Sequence, residues 1–214
     1  MLKLEIILLD RVDSTQKYLL KLLKEFKVKI PIAVVSKEQT DGIGSRDNSW
    51  SGGEGNLFVS FAIDINKLPS DLAIASSSIY FSFIMKEILV QYNSDIWLKW
   101  PNDFYIGKDK IGGTITKKID NLLVCGIGIN LIKNKNSYKA LDIGIEPIVL
   151  LKKYLLELDK SKSWKQVFIK YKLEFNNNKN FYTHILKDKV SLRDSILCSD
   201  GSLIIEDKKV YSLR

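Results

Sequence analysis

Between Ile96 and Leu131 the chain reads as four short apolar runs, "IWLKW", "DFYI", "KIGGTITKKI" and "NLLVCGIGINL", with tight polar turns such as "GKD" and "IDN" between them. Turns this short join antiparallel neighbours, because a parallel pairing needs a crossover of roughly a dozen residues or more. A sheet built of hairpins is the least that this stretch demands.

Upstream, "LEIILLDRV" and "PIAVVSKEQ" read as strands on either side of the helix "DSTQKYLLKLLKEF". Asp13, Ser14 and Thr15 mark the start of that helix, and Leu19, Leu22, Leu23 and Phe26 recur at helical spacing. The polar, glycine-rich "TDGIGSRDNSWSGGEG" is expected to be a long functional loop ahead of the strand "NLFVSFAI". "SDLAIASSSIYFSFIMKEILVQY", opening on a Ser-Asp cap and apolar all round, predicts a central buried helix. "EPIVLLKKYLLEL" and "SWKQVFIKYKLEFNN" predict two amphipathic helices. The tail from Asp188 returns to period-2 alternation with an Asp-Gly turn. This order predicts an α+β domain with a largely antiparallel or mixed sheet over residues 1–180 and a small β unit over 181–214.

A chain of 214 residues, 45% hydrophobic and 27% charged, can bury a substantial core. The apolar run at the N-terminus is broken by Asp10, Arg11 and Asp13, so neither a signal peptide nor a membrane span is expected, and a cytoplasmic location is. Cys125 and Cys198 lack metal-ligand spacing, and Cys125 lies in an apolar run that predicts burial. The formal charge of +8 is concentrated between Lys133 and Lys189, where 13 lysines face six acids. That region reads either as a solvated lysine face or as a surface for an acidic partner.

The only histidine is His184, in the lysine-rich stretch, which argues against a Ser-His-Asp triad or a histidine metal cluster. No segment matches G-x-x-x-x-G-K-[ST], and "GIGINL" lacks the third glycine of the dinucleotide fingerprint. What remains is glycine-rich turns beside charged groups. Gly42 and Gly44 let backbone approach a ligand closely, and Arg46 supplies a planar donor suited to carboxylate or phosphate. In "KWPND", Pro101 ends a strand and leaves Asn102 and Asp103 at the turn, with Asp103 an oxygen ligand of the type Mg²⁺ accepts. Lys110 precedes Gly112 and Gly113, so its ammonium can approach a phosphate or acyl oxygen. Each of these features is weak alone.

Together "DSTQ", "EQTDGIGSRDNSW", "NLFVSF", "KWPND", "KIGG" and "GIGIN" occur in the order and approximate spacing of the biotin protein ligase family. The chain resembles that family from about residue 8 to 131. The resemblance implies a sheet like that of the class II aminoacyl-tRNA synthetases with flanking helices, followed by a shortened SH3-like C-terminal unit. It implies that biotin is activated by Mg-ATP to biotinyl-5′-AMP and then passed to a lysine of the biotin carboxyl carrier domain of acetyl-CoA carboxylase. Carried over by position, Ser14, Thr15, Gln16, Gln39, Gly42, Ile43, Gly44, Ser45, Trp50, Gly113 and Gly126 would bind biotin. Arg46, Trp100, Asn102, Lys110, Gly128 and Asn130 would bind ATP, with Lys110 and Arg46 catalytic and Asp103 at Mg²⁺.

Three loop positions that carry arginine in the family's G-R-G-R-x-G-R-x-W pattern are Ile43, Ser45 and Asn48, and Gln16 stands where Asn is usual. The family's N-terminal DNA-binding unit has no room before Met1, so no DNA binding is expected, and the resemblance admits a homodimer. The nearest alternative is a lipoate or octanoate ligase or transferase of the same fold, whose arginine-glycine-rich motif is absent here. A basic nucleic-acid-binding protein is the alternative from another class, and it lacks any recognisable binding module.

Overall fold

The computed structural model describes residues 4–25, 28–44, 49–133, 139–185 and 188–211. Strand β1 (Glu5–Val12) leads into helix α1 (Thr15–Lys24), and β2 (Ile32–Ile43) returns parallel to β1 across that helix. Next come β3 (Ser49–Gly52), β4 (Leu57–Asp64), α2 (Ser77–Val90), β5 (Ile96–Lys99), β6 (Asp103–Ile106), β7 (Asp109–Ile119) and β8 (Leu122–Ile129). They form one eight-stranded mixed sheet in the order β1-β2-β4-β8-β7-β6-β5, with β3 paired to β2. The hairpins demanded by residues 96–131 are antiparallel, as their short turns require. Helices α3 (Pro147–Asp159) and α4 (Trp164–Glu174) follow, then β9 (Tyr182–Ile185), β10 (Asp188–Ser191), β11 (Ile196–Leu197), β12 (Leu203–Ile205) and β13 (Lys208–Val210).

Strand parity divides the core in two. Ile32, Val34, Ala62 and Val124 point to one face of the sheet, where Leu19 of α1 covers them. Ala33, Val35, Val59, Phe61, Cys125 and Ile127 point to the other, where α2, α3 and α4 are stacked. Because α2 is enclosed by the sheet on one side and by helices on the other, it is apolar around its circumference, as a buried helix must be. The C-terminal strands contribute Leu203 and Ile205 to this same larger core, and Leu192 joins them.

Two sequence expectations are corrected. The Ser70-Asp71 pair does not begin α2, which starts at Ser77 behind a short 3-10 turn, Ile74–Ser76. Asp71 instead accepts the backbone N–H groups of Trp164 (2.9 Å) and Lys165 (2.9 Å), satisfying orphan donors at the start of α4. Burial works to raise the Asp71 carboxyl, and these backbone donors outweigh it, so its pKa lies below the ordinary value. The segment expected as a loop over 40–55 is largely a strand pair, with Gly42 opposite Trp50 and Ile43 opposite Ser49. Residues 45–48 lie outside the described residues.

Candidate active site

On the face covered by α1, the strands lose their large side chains just beyond the helix N-terminus. Ser60 of β4, Gly126 of β8 and Ile115 of β7 are cross-strand neighbours, as are Gly128 and Gly113. Small residues here, against Val59 and Ile127 on the opposite face, leave a cleft of about 480 Å³ counted out to its open mouth.

The start of α1 forms one wall. Ser14 caps the helix by accepting the N–H of Lys17 (3.3 Å). The Thr15 hydroxyl meets Ser60 Oγ at 2.9 Å, and Gln39 Oε1 accepts from Thr15 N (3.0 Å) and Thr15 Oγ1 (3.2 Å). Gln39 Nε2 donates to the Trp50 carbonyl (3.3 Å), so this one amide ties α1, β2 and β3 together. Gly42 makes that possible, since a Cβ there would lie 1.9 Å from Gln39 Nε2.

Two buried polar atoms over the cleft floor have no partner among the described residues: Gln16 Oε1 and Trp50 Nε1. A Cβ on Gly126 would lie 2.6 Å from the first, and a Cβ on Gly128 would lie 2.7 Å from the second. A buried acceptor and a buried donor left unmade cost about 1–3 kcal/mol each, which a ligand of complementary polarity would recover.

The other wall comes from the β5–β6 turn and β7. Lys110 Nζ lies 2.7 Å from Asp103 Oδ1, and Lys99 Nζ lies 3.7 Å from Asp103 Oδ2. The turn itself is fixed from both sides. Asn102 Nδ2 donates to the Thr114 carbonyl, and Thr114 N returns a bond to Asn102 O (2.9 Å). Asn178, fully buried in the segment after α4, accepts the N–H of Trp100 (2.7 Å) and donates to Leu98 O (3.2 Å). Nearby, burial and the Asp103 charge push the Tyr105 phenol up to about 12, so it stays neutral.

Of the residues expected to bind ligand, Ser14, Thr15, Gln16, Gln39, Ile43, Gly44, Trp50, Asn102, Asp103, Lys110, Gly113, Gly126 and Gly128 line this one cleft. Arg46 and Ser45 fall outside the described residues. Trp100 does not line it: its indole is wholly buried in the core and donates to Gly201 O (2.9 Å), in the C-terminal segment. Asn130 is likewise absent from the cleft. Its Nδ2 donates to Lys139 O (3.3 Å) and its carbonyl accepts Leu141 N (2.8 Å), pinning the segment after β8. Ser60, Ile115 and Thr114 line the cleft without having been expected to. Of these, only Ser60 carried a signal, being the single polar residue within "LFVSFA".

Asp103, expected at Mg²⁺ beside phosphate oxygens, lies at the cleft with lysines around it. Among the described residues no group of three or more His, Cys, Asp or Glu side chains could hold a metal ion, and the Asp103 carboxylate is engaged by two ammoniums. Among the described residues, what the site offers an anion is positive charge on lysine.

A family model described as the biotin/lipoate A/B protein ligase family matches residues 8–134. The fold is similar to that of biotin acetyl coenzyme A carboxylase synthetase from Helicobacter pylori with bound biotinylated ATP. That likeness has 37% identity and a TM-score of 0.93 over 98% of this chain and 100% of the other. Biotin protein ligase from Aquifex aeolicus in complex with biotin and ATP shares the fold at 23% identity and a TM-score of 0.74, over 98% of this chain and 96% of its own. The Leishmania major enzyme in complex with biotinyl-5-AMP shares it at 18% identity and a TM-score of 0.68, over 97% and 95%. With more than half of its length matched and the cleft residues in the expected order, the chain belongs to the biotin/lipoate A/B protein ligase family.

Proposed function

We propose that this chain is an ATP-dependent biotin–protein ligase. The carboxylate of biotin attacks the α-phosphorus of ATP, forming the mixed anhydride biotinyl-5′-AMP and releasing pyrophosphate. The amine of a lysine on a biotin carboxyl carrier domain then attacks the anhydride carbonyl, and AMP leaves. Negative charge gathers on the same carboxyl and phosphoryl oxygens in both steps, so an ammonium at Lys110 serves both. Holding the two reactants in one cleft replaces an encounter in solution by a nearly intramolecular attack. Magnesium enters this reading only as the ion that ATP carries.

The observation that carries the reading is the pairing of unmet polarity with charge along one cleft. Gln16 Oε1 and Trp50 Nε1 stand over Gly126 and Gly128, and the Lys110–Asp103 pair stands beside Gly113. A ureido ring offers both N–H donors and a carbonyl acceptor to the first two, and its acid tail reaches toward the lysine. The dithiolane of lipoate offers neither donor nor acceptor and would leave both atoms buried and unpaired. The likeness to the Helicobacter pylori protein, at 37% identity, supports the same choice.

No helix among the described residues is long and apolar enough to cross a membrane, and a cytoplasmic location fits a reaction that consumes ATP. The basic stretch from Lys133 to Lys189 is the surface we assign to an acidic carrier domain. The test is transfer of labelled biotin, with ATP, to a carboxyl carrier domain. Labelling that requires ATP and the carrier lysine is the expected result. Activation of lipoate with no activation of biotin would overturn the reading.

A further inference from the structure

Strand β5 is the last in the sheet order, with β6 along one side, so the peptide groups on its other side must be satisfied by something other than a strand. Where β5 runs into the turn at Pro101, Asn102 and Asp103, one side chain does this. Asn178 lies in a short 3-10 turn after α4, Phe175–Asn180, and is wholly buried. Its Oδ1 accepts the Trp100 N–H at 2.7 Å, and its Nδ2 donates to Leu98 O at 3.2 Å. A side-chain amide carries the same donor and acceptor as a peptide group. Here it bridges the peptide groups on either side of residue 99, as a residue of a further strand would.

Asn178 is itself held in place. Its carbonyl accepts the Phe181 N–H (2.9 Å), and the Phe181 ring packs on Trp97 of β5 and Tyr105 of β6, with centroids 4.9 and 5.5 Å away. Phe175, at the other end of the same turn, is buried in the larger core. The sheet register carries this hold to the cleft. Residue 99, between the two bonded peptide groups, is the cross-strand partner of Asp103, and Asp103 is in turn the partner of Gly113 on β7. Asp103 Oδ1 lies 2.7 Å from Lys110 Nζ, and both residues line the cleft. Asn178 does not line it, and both bonds of its amide are to backbone.

Resting on the ligase reading above, we infer that Asn178 is a positioning residue for adenylate formation: its amide sets the end of β5 and so places Asp103, and through it Lys110, in the cleft. A residue that only stabilised the fold would change how much of the enzyme is folded. One that aims the ion pair also changes how fast the folded enzyme works.

The experiment measures biotin-dependent exchange of pyrophosphate into ATP, well below each protein's melting temperature, for the wild-type chain, Asn178→Ala, Asp103→Asn and the double variant. A lower Tm is expected of Asn178→Ala on either view and does not discriminate. Its kcat is expected to fall on the order of tenfold, since a displacement of about 1 Å at reacting groups can cost about 100-fold. Its KM for biotin should stay within about twofold, because the wall made by α1, Gln39 and Trp50 is untouched. In the Asp103→Asn background the same change should cost less than about threefold, because the group it places is gone. Hydrogen exchange at the Trp100 amide should quicken, while amides of β4 and β8 keep their protection.

A wild-type kcat in folded Asn178→Ala would overturn the inference. So would losses from Asn178→Ala and Asp103→Asn that simply multiply, or a raised KM for biotin in place of a lowered kcat. Absence of exchange in the wild-type chain would instead overturn the ligase reading itself. If Asn178→Ala does not fold, Asn178→Ser, whose hydroxyl is too short to reach both peptide groups, decides on the same criteria.

Discussion

Two adjacent glycines separate the fold from the site. Gly112 and Gly113 occupy neighbouring positions on β7 and so face opposite sides of the sheet. A Cβ on Gly112 would lie 2.5 Å from the Gly128 carbonyl oxygen, 3.1 Å from Ile129 Cα and 3.1 Å from the Phe104 ring. Two of those neighbours are backbone of β8, which cannot move aside without disturbing the ladder between central strands. A Cβ on Gly113 would instead lie 3.4 Å from Asp103 Oδ1, 3.6 Å from Asn102 O and 3.8 Å from Lys110 Cε, all ordinary contacts. Its methyl would stand beside the ion pair that aims Lys110.

Gly112→Ala should therefore cost on the order of 2 kcal/mol through overpacking. For a domain of this length that corresponds to a fall in Tm of roughly 4–8 °C. Gly113→Ala should unfold within a degree or two of wild type, roughly the effect of a substitution costing under about 0.5 kcal/mol. Pyrophosphate exchange by Gly113→Ala should nonetheless fall, with the change in kcat, because the perturbed contact is to the charged pair and not to the ring-binding wall. Thermal melts followed by circular dichroism, with exchange assays on the same preparations, read both quantities. The reasoning is refuted if Gly112→Ala melts like wild type, or if Gly113→Ala is the less stable of the two.

Lys110→Ala should abolish adenylate formation, with a loss of at least roughly 100-fold in exchange, while the circular dichroism spectrum and Tm stay unchanged; retained exchange would remove Lys110 from the chemistry. Trp100→Phe should lower stability by roughly 1–3 kcal/mol by leaving the Gly201 carbonyl without its donor, yet leave the KM for ATP of the folded enzyme unmoved, and a raised KM would return Trp100 to the nucleotide site. Burial works to raise the Asp200 carboxyl, but the Lys209 ammonium and the Ser202 hydroxyl and backbone N–H outweigh it, holding the pKa at about 2 against an ordinary 3.8. A carboxyl depressed in the folded state contributes stability that is complete above the unfolded pKa and is lost as pH falls from about 4 toward 2. Asp200→Asn should thus flatten the decline of Tm across that window, and an unchanged acid limb would count against the pairing.

The cleft was legible in the sequence because its parts are local. "DSTQ" starts a helix, "KWPND" ends β5 and "KIGG" lies at the start of β7, and each places its polar residue by capping, turn or register alone. The burial of Trp100 was not legible for a physical reason: a tryptophan at the end of a strand gives no sign of which side its indole will take. Here it turns into the core to meet Gly201, a partner 101 residues away. Asn178 was hidden in "NNNKN", which reads as solvated composition, yet it is fully buried and its bonds reach 78 and 80 residues back to the site turn. Asp71 looked like a cap for the helix next to it and serves one more than 90 residues on. Short-range patterns cannot encode such partners, because nothing in the intervening chain depends on them.

The β2–β3 pair failed to show itself for a different reason. A strand is readable when one face is buried and the other is not, and this one continues past the sheet body to lie over the cleft, with glycine and polar residues on both faces. Its periodicity is absent because the ligand space, and not a hydrophobic layer, lies beneath it. The same logic identifies the floor. β4 and β8 carry Val59, Phe61, Cys125 and Ile127 on the face that meets α2, and Ser60, Gly126 and Gly128 on the face overlain by Thr15, Gln16 and Trp50. A strand that is large on alternate positions and small on the others marks a sheet with a core on one side and room on the other. In this chain "FVSFA" and "VCGIGI" carry that pattern before any family motif is invoked.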